Sequence, residues 1–367
     1  MMRDFLDREV VPVFPQWLED QLVPREFFRS LAKLGILGMN IPEEYGGSGD
    51  APYTYSVVLH EETARALVHL GPLRCHMDVV LPYLLEYAND EQRRRWLPAI
   101  ASGDALLAIA MTEPGTGSDL AGIRTTAVRD GDHYVLNGSK TFITGGIHAD
   151  LVVVVARTSW DPDNRRKGLT LLVVEDGMEG FEKGRKLDKL GLAVQDTAEL
   201  SFHDVRIPAA NLLGEEGEAF SYLGHNLAGE RLGIALGAIT SARAALDITI
   251  AYTADRAVFG KSLSSFQNTK FELASVATEI DAGQAMFDQA VTEHEAGQLS
   301  PVDAAKTKLF CTEVQGRAID RCLQLFGGYG YIMEYPIARL YADARVSRIY
   351  GGTSEVLKTI ISKSLGL

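Results

Sequence analysis

The sequence predicts an α+β protein in which a helical segment, a compact β segment and a second helical segment follow one another. Three observations carry this. Apolar residues recur at helical spacing up to about residue 105, short β-branched runs separated by turn signals fill Leu106 to about Gly214, and the helical period then returns. A chain of 367 residues also exceeds the size at which one hydrophobic core usually stops growing, so more than one structural unit is expected.

In residues 1–105, Phe27, Leu31 and Leu34 share one helical face, and Val57, Val58, Glu61 and Ala64 continue in a second helix. IPEEYGGSGD, Ile41 to Asp50, reads as a loop. A third helix runs through Val79 to Tyr87, and Asn89-Asp90 ahead of Gln92 to Trp96 is a capped helix start. In residues 106–214 the runs LLAIAM, LVVVVA and LTLLVV read as strands, and Asp130-Gly131 divides TTAV from HYVL as a hairpin turn does. With no helical stretch between them, a small barrel or sandwich is expected. In residues 215–367 the run Phe220 to Phe259 is the longest helical pattern, with Leu223, Leu227, Ile234, Ile239, Ala245, Ile248 and Tyr252 forming its buried stripe. That length belongs to a bundle. Near the end, Gly351-Gly352 precedes the N-cap residues Thr353 and Ser354 and a helical pattern in Val356, Leu357, Ile360 and Ile361.

Composition narrows the function classes. With 46% apolar and 23% charged residues the chain is globular rather than disordered. A net charge of −13 argues against nucleic acid or an anionic membrane as partner, since both require a basic face. Cys75, Cys311 and Cys322 form no CxxC pair and no zinc spacing, which suits a reducing compartment. No uninterrupted apolar run approaches membrane-spanning length, MMRDFLDREVVPVFP is too charged for a signal peptide, and the last three residues are not a peroxisomal signal. A cytoplasmic protein with no membrane insertion is the expectation.

Two stretches offer binding chemistry. In MTEPGTGSDLAG, Met111 to Gly122, Leu120 stands where a dinucleotide fingerprint needs its third glycine, which excludes a Rossmann site. What remains is a strand ending in a turn whose amides, with Thr112 and Ser118, can bond a heterocycle edge or a phosphate. The amides of Gly351 and Gly352, placed at a positive helix start, can hold an oxygen that develops negative charge. HEETA at His60 lacks the second histidine of a zinc protease, the remaining histidines are scattered, and no metal site is predicted. Glu230 lies in the long helix; a solvent-facing glutamate paired with Arg231 or Arg243 is the reading its residue type alone favours.

The strings QLFGGYGYIMEYPIARLYADARV and IYGGTSEVLK resemble the C-terminal part of acyl-CoA dehydrogenases, and the glycine in YGGT resembles the long-chain and isovaleryl-type branch. The order of segments is similar to that family's fold over the whole chain. The resemblance implies FAD as cofactor, with Met111 and Thr112 at the isoalloxazine ring and Gly117 and Ser118 at the phosphates. KTFITGG is similar to a second flavin segment, in which Phe142 stacks beside the ring and Thr144 donates toward N5. DRAVFGKSLSSFQ resembles the segment that reaches a neighbouring subunit's FAD. By that match Arg256 meets the pyrophosphate, Phe259 and Gln267 hold the adenosine side, and Gln324, Leu325, Phe326, Gly327 and Gly328 complete it. Thr353 and Glu355 fall at cofactor positions, and Ser118, Arg231, Gly351 and Gly352 at substrate positions. A dimer-of-dimers tetramer is therefore expected.

Many members of that family carry a glutamate before GTS, where this chain has Gly351. ERLGIA resembles members whose base projects from the long helix, which makes Glu230 the candidate base and Gly351 the oxyanion donor. The implied reaction is α,β-dehydrogenation of an acyl-CoA to the trans-2-enoyl-CoA, as in fatty acid β-oxidation, with electrons leaving to an electron-transferring flavoprotein. An oxidase or monooxygenase on the same scaffold, an acyl-carrier-protein substrate and an inactive flavin-binding scaffold stay open. Ala228, where relatives often carry a polar residue, removes one expected pantetheine contact.

Overall fold

The computed structural model describes residues 1–49 and 51–367; Asp50, the last residue of the predicted loop, lies outside them. The N-terminal segment holds α1 (Met2–Phe5), α2 (Phe14–Asp20), α3 (Arg25–Lys33), α4 (Thr54–Arg65), α5 (Leu81–Tyr87) and α6 (Asp90–Ala101), with a π-helical stretch at Cys75–Val80 feeding α5. Proline in the first turn starts α2 and α5, where its missing N–H costs nothing. Asn89 caps α6 through a capping box with Gln92. The Gln92 amide then donates to the carbonyls of Ala210 and Leu212, so one residue both closes a helix and ties it to the sheet.

The middle segment is one eight-stranded sheet in the order β6-β7-β3-β2-β4-β5-β8, with β1 beside β4. Its strands are β1 (Leu107–Ala110), β2 (Thr126–Asp130), β3 (His133–Thr144), β4 (Leu151–Arg157), β5 (Leu169–Glu175), β6 (Phe181–Lys186), β7 (Thr197–Pro208) and β8 (Leu212–Leu213). β2 and β3 pair as the expected hairpin, with Asp130 opposite His133. Every residue of β4 is buried, which explains its unbroken apolar run. Val153 and Val155 pack with Val80 and Leu84 of the N-terminal helices, whereas Val152 and Val154 pack with Leu172, Leu200 and Phe202 in the sheet's own core. The single sheet thus curls over its own core, with β4 and β5 facing β7 across it, the barrel-like form that was expected.

The C-terminal segment holds α7 (Ala219–Asp255), a two-strand ribbon β9 (Ala257–Val258) and β10 (Lys261–Ser262), then α8 (Gln267–Glu295), α9 (Pro301–Phe326), α10 (Pro336–Ala344) and α11 (Ser354–Ser364). α7 stops before the predicted Phe259, because Arg256 is extended and the ribbon turns through Phe259 and Gly260 at positive φ. One 18-residue window of α7 is apolar and long enough to cross a membrane, but 56% of it is buried inside the chain. Ile239, Ala242 and Leu246 of α7 pack with Val276 and Ile280 of α8 and Val314 and Ile319 of α9. The middle segment is clamped to α10 at Gly191, where a Cβ would lie 2.5 Å from the Ala342 carbonyl carbon, and by the Leu192 amide donating to Asp343.

Candidate active site

α7 presents Glu230 toward the loop ahead of α11. A Cβ built at Gly351 would lie 3.4 Å from Glu230 Oε1, 3.7 Å from Lys308 Nζ and only 2.3 Å from Ile234 Cδ1. Ile234 follows Glu230 by four residues and so shares its helix face. Its methyl fills the place a side chain at 351 would need, and Gly351 also sits at φ 61, a conformation that suits glycine. The expected carboxylate at 351 is absent, and the space it would enter is occupied from α7.

Glu230 is not paired with Arg231 or Arg243. Arg243 bonds Asp281 on the neighbouring helix, and Glu230 Oε2 is buried with no hydrogen-bond partner among the described residues. Burial raises the Glu230 pKa, and the nearby cations Arg74, Lys308 and Arg231 oppose that rise. Arg231 is the next residue in sequence, whereas Arg74 and Lys308 are brought in by other elements and left no local mark.

Lys308 was not singled out in the sequence. It is fully buried on α9 and donates to the carbonyls of Tyr350 and Gly352, the two that bracket Gly351. Desolvation pushes its pKa down to about 7, opposed by Glu230. Its spacing was the available signal. In the α9 stripe of Ala304, Ala305, Cys311, Thr312 and Gln315, Lys308 occupies a buried phase where a charge needs a reason. Holding both flanking carbonyls fixes the Gly351 peptide.

The amides of Gly351 and Gly352 donate to no acceptor within the chain among the described residues. They lie just ahead of α11, as the sequence reading had it: Thr353 is the N-cap and accepts from the Val356 amide at 3.3 Å, so the first helical amides start at Ser354. Glu355 is exposed in that first turn, its pKa lowered by backbone hydrogen bonding and by Thr353. Arg231 is buried with its Nε unpartnered.

Two flavin segments predicted far apart in sequence are stapled together. The Thr141 amide donates to the Thr112 carbonyl at 2.9 Å, and buried Lys140 donates to the Met111 carbonyl and Glu113, both at 2.9 Å. Glu113 in turn accepts the amides of Arg124 and Thr125. Gly117 lies against Thr112, and Gly117 and Ser118 are exposed. Phe142 is 68% exposed at φ 61, a strained backbone for an aromatic residue and one that functional sites store. Gln195 reaches the Thr144 hydroxyl at 3.5 Å. Hydroxyls, exposed amides and a projecting ring suit a planar heterocycle with a phosphate tail.

Away from this face, Arg256, Gln324, Gly327 and Gly328 border one groove of about 570 Å³, with Arg256 over the Tyr329 ring. Leu325 and Phe326 line it as well. Phe259, 94% exposed, and Gln267, at the start of α8, do not line it. Among the described residues no cluster of three or more His, Cys, Asp or Glu is placed to hold a metal.

A helix–sheet–helix chain with these paired segments and a buried carboxylate defines a flavin-dependent oxidoreductase. The sequence models of the acyl-CoA dehydrogenase N-terminal, middle and C-terminal domains match residues 1–104, 108–205 and 217–366. The chain is 43% identical over 364 residues to the long-chain specific acyl-CoA dehydrogenase of Sus scrofa, covering 99% of this chain and 84% of that protein. It is 36% identical to the acryloyl-CoA reductase (NADH) of Anaerotignum propionicum, over 100% of this chain and 92% of that one. A crystal structure of acyl-CoA dehydrogenase from Geobacillus kaustophilus superposes with a TM-score of 0.97 at 46% identity, over 100% of this chain and 96% of that one. The chain belongs to the acyl-CoA dehydrogenase family of FAD-dependent oxidoreductases.

Proposed function

We propose that this enzyme removes the α proton and β hydrogen of an acyl thioester to give the trans-2-enoyl thioester, with Glu230 as the base. One observation carries the reading: the buried Glu230 carboxylate stands against the Gly351 peptide, whose amide is unused. With the thioester oxygen on that amide, the α carbon comes within reach of Glu230. Glu230 takes the α proton, and the amide stabilises the enolate charge, a donor worth about 3 kcal/mol in the transition state. Lys308 keeps the amide aimed by fixing the carbonyls on either side. Bound FAD supplies the acceptor for the β hydrogen, which leaves as hydride. Thr112, Phe142 and Thr144 would hold its ring and Gly117 and Ser118 its phosphates, while Arg256, Gln324, Gly327 and Gly328 would reach the pyrophosphate and adenosine side of a neighbouring subunit's FAD.

The α C–H and β C–H bonds break, a C=C bond forms, and two electrons pass to the cofactor. Coenzyme A is the expected carrier and an electron-transferring flavoprotein the expected acceptor. Anaerobic mixing of holoenzyme with acyl-CoAs tests this directly: flavin bleaching by the wild type and none by Glu230→Gln supports it, and equal bleaching by both sinks Glu230 as base. Rapid reoxidation of the reduced enzyme by oxygen would assign it instead to the oxidases.

A further inference from the structure

We infer that the acyl chain of the substrate carries an anionic group, a carboxylate received by Arg74. The inference rests on the dehydrogenase reading above and names the substrate class of that same site. A cavity of about 150 Å³ lies between α4, the π-helical stretch, α7 and α10, with Arg74, Tyr350, Gly237 and Ala238 on its wall. Tyr350 adjoins Gly351, so the cavity opens beside the base, and Gly237 and Ala238 follow Glu230 along the same helix by about two turns. A space of that size holds a benzene-sized group, on the order of six heavy atoms.

The wall is not that of a fatty pocket. Arg74 forms no hydrogen bond or salt bridge within the chain among the described residues, and its Nη1 is buried without a partner. That nitrogen abuts α7 one turn beyond Glu230, since a Cβ at Gly233 would lie 3.3 Å from it. The guanidinium rests over the Tyr350 ring at 5.6 Å, a contact that offsets only part of the cost of burying a charge. His69 Nδ1 and Gln315 Oε1, also on the wall, are buried without partners.

Asp78 and Glu230 act on Arg74 through space and raise its pKa against the cost of burial, but neither hydrogen-bonds it. Asp78 accepts from the Ser56 hydroxyl at 3.1 Å and faces His60 at 3.6 Å. Asp343 accepts the Leu192 amide. Glu230 is turned toward Gly351. A planar fork of donors with no carboxylate of its own matches a ligand carboxylate in bidentate geometry. An uncharged alkyl chain in the same space would seal the Arg74 donors from water with no hydrogen-bond acceptor to meet them, and sites with unmet polar groups discriminate strongly against such ligands. A substrate carboxylate would also neutralise the Arg74 charge that opposes the raised Glu230 pKa, making the base stronger only when the correct chain is bound.

The test compares anaerobic flavin reduction of the holoenzyme by glutaryl-CoA and pentanoyl-CoA, equal in carbon count and differing in the terminal carboxylate. Succinyl-CoA, adipyl-CoA and octanoyl-CoA bracket the length. The wild type is expected to favour a dicarboxylic thioester over its uncharged counterpart at least tenfold in kcat/KM. Arg74→Met should collapse that ratio to about one or below, and Arg74→Lys, which keeps charge but loses the fork, should lower it several-fold. Should Arg74→Met not fold, the wild-type ratio and the lysine variant still decide. A wild-type preference for pentanoyl-CoA or octanoyl-CoA overturns this inference alone. A flavin that no thioester bleaches overturns the dehydrogenase reading and this inference together.

Discussion

The two ends of the cofactor track are built in opposite ways. Around Glu230, Gly351 and Lys308 everything is supplied and enclosed by one chain: Lys308 is fully buried and Glu230 Oε2 is sealed from solvent. Around Arg256, Gln324, Gly327 and Gly328 a groove of about 570 Å³ opens outward, and Phe259 and Tyr331 are 94% and 91% exposed. Large rings held in water beside a cationic groove are what an interface or a ligand would cover. The contrast separates chemistry, which needs one copy, from retention of the nucleotide, which is expected to need a second.

Glu230→Gln gives the largest expected effect, a loss of about 10³-fold in the rate of flavin reduction measured by stopped flow, as for removal of a general base. FAD content should not change; loss of bound FAD together with the rate would erase the distinction between the two ends. Gly351→Ala comes next, at about 10²-fold in kcat, because the oxyanion donor must move away from Ile234. Overpacking adds about 1–3 kcal/mol of destabilisation, read as a lower Tm. Pairing it with Ile234→Val, which deletes the clashing methyl, should restore part of both. A double variant no better than the single would show that the strain at φ 61, not the methyl, decides the position.

Lys308→Met should lower kcat about tenfold by freeing the 350–352 peptides, an effect carried by geometry at a preorganised site. Titration separates its role from that of Glu230. The raised Glu230 pKa places the acid limb of kcat/KM above the ordinary glutamate value of 4.5. Stability linked to Glu230 is lost as pH rises from 4.5 through its folded pKa, because the folded state binds the extra proton. Lys308 runs in the opposite sense: with its pKa lowered to about 7 from 10.5, stability increases as pH rises across that window. Urea titrations in Lys308→Met should lack the alkaline increase. The smallest effect belongs to Phe259→Ala, a loss of several-fold in FAD affinity, on the scale of about 1 kcal/mol for one aromatic contact. That loss should grow on dilution if a second copy completes the site, and dilution-independent binding would break the contrast.

The helix–sheet–helix order was legible because each segment repeats its own period many times. The end of α7 was not, because the turn at Phe259 contains no proline and only Gly260 marks it. Glu230 was marked as the candidate base only by the family resemblance: position 351 lacks the carboxylate that many relatives carry, and 230 offers one on a helix. Arg74 left no such mark, since its lack of a partner depends on where α4, α7 and α10 meet, which no local pattern encodes. Lys140 and Glu113 lie within the two recognised flavin segments, yet their pairing appears only when β3 is laid against the turn after β1.

The Ile234 methyl also bears on how such enzymes can change over time. On the proposed mechanism a side chain at 351 would require Ile234 Cδ1 to turn aside, and loss of Glu230 alone would leave the site without its base.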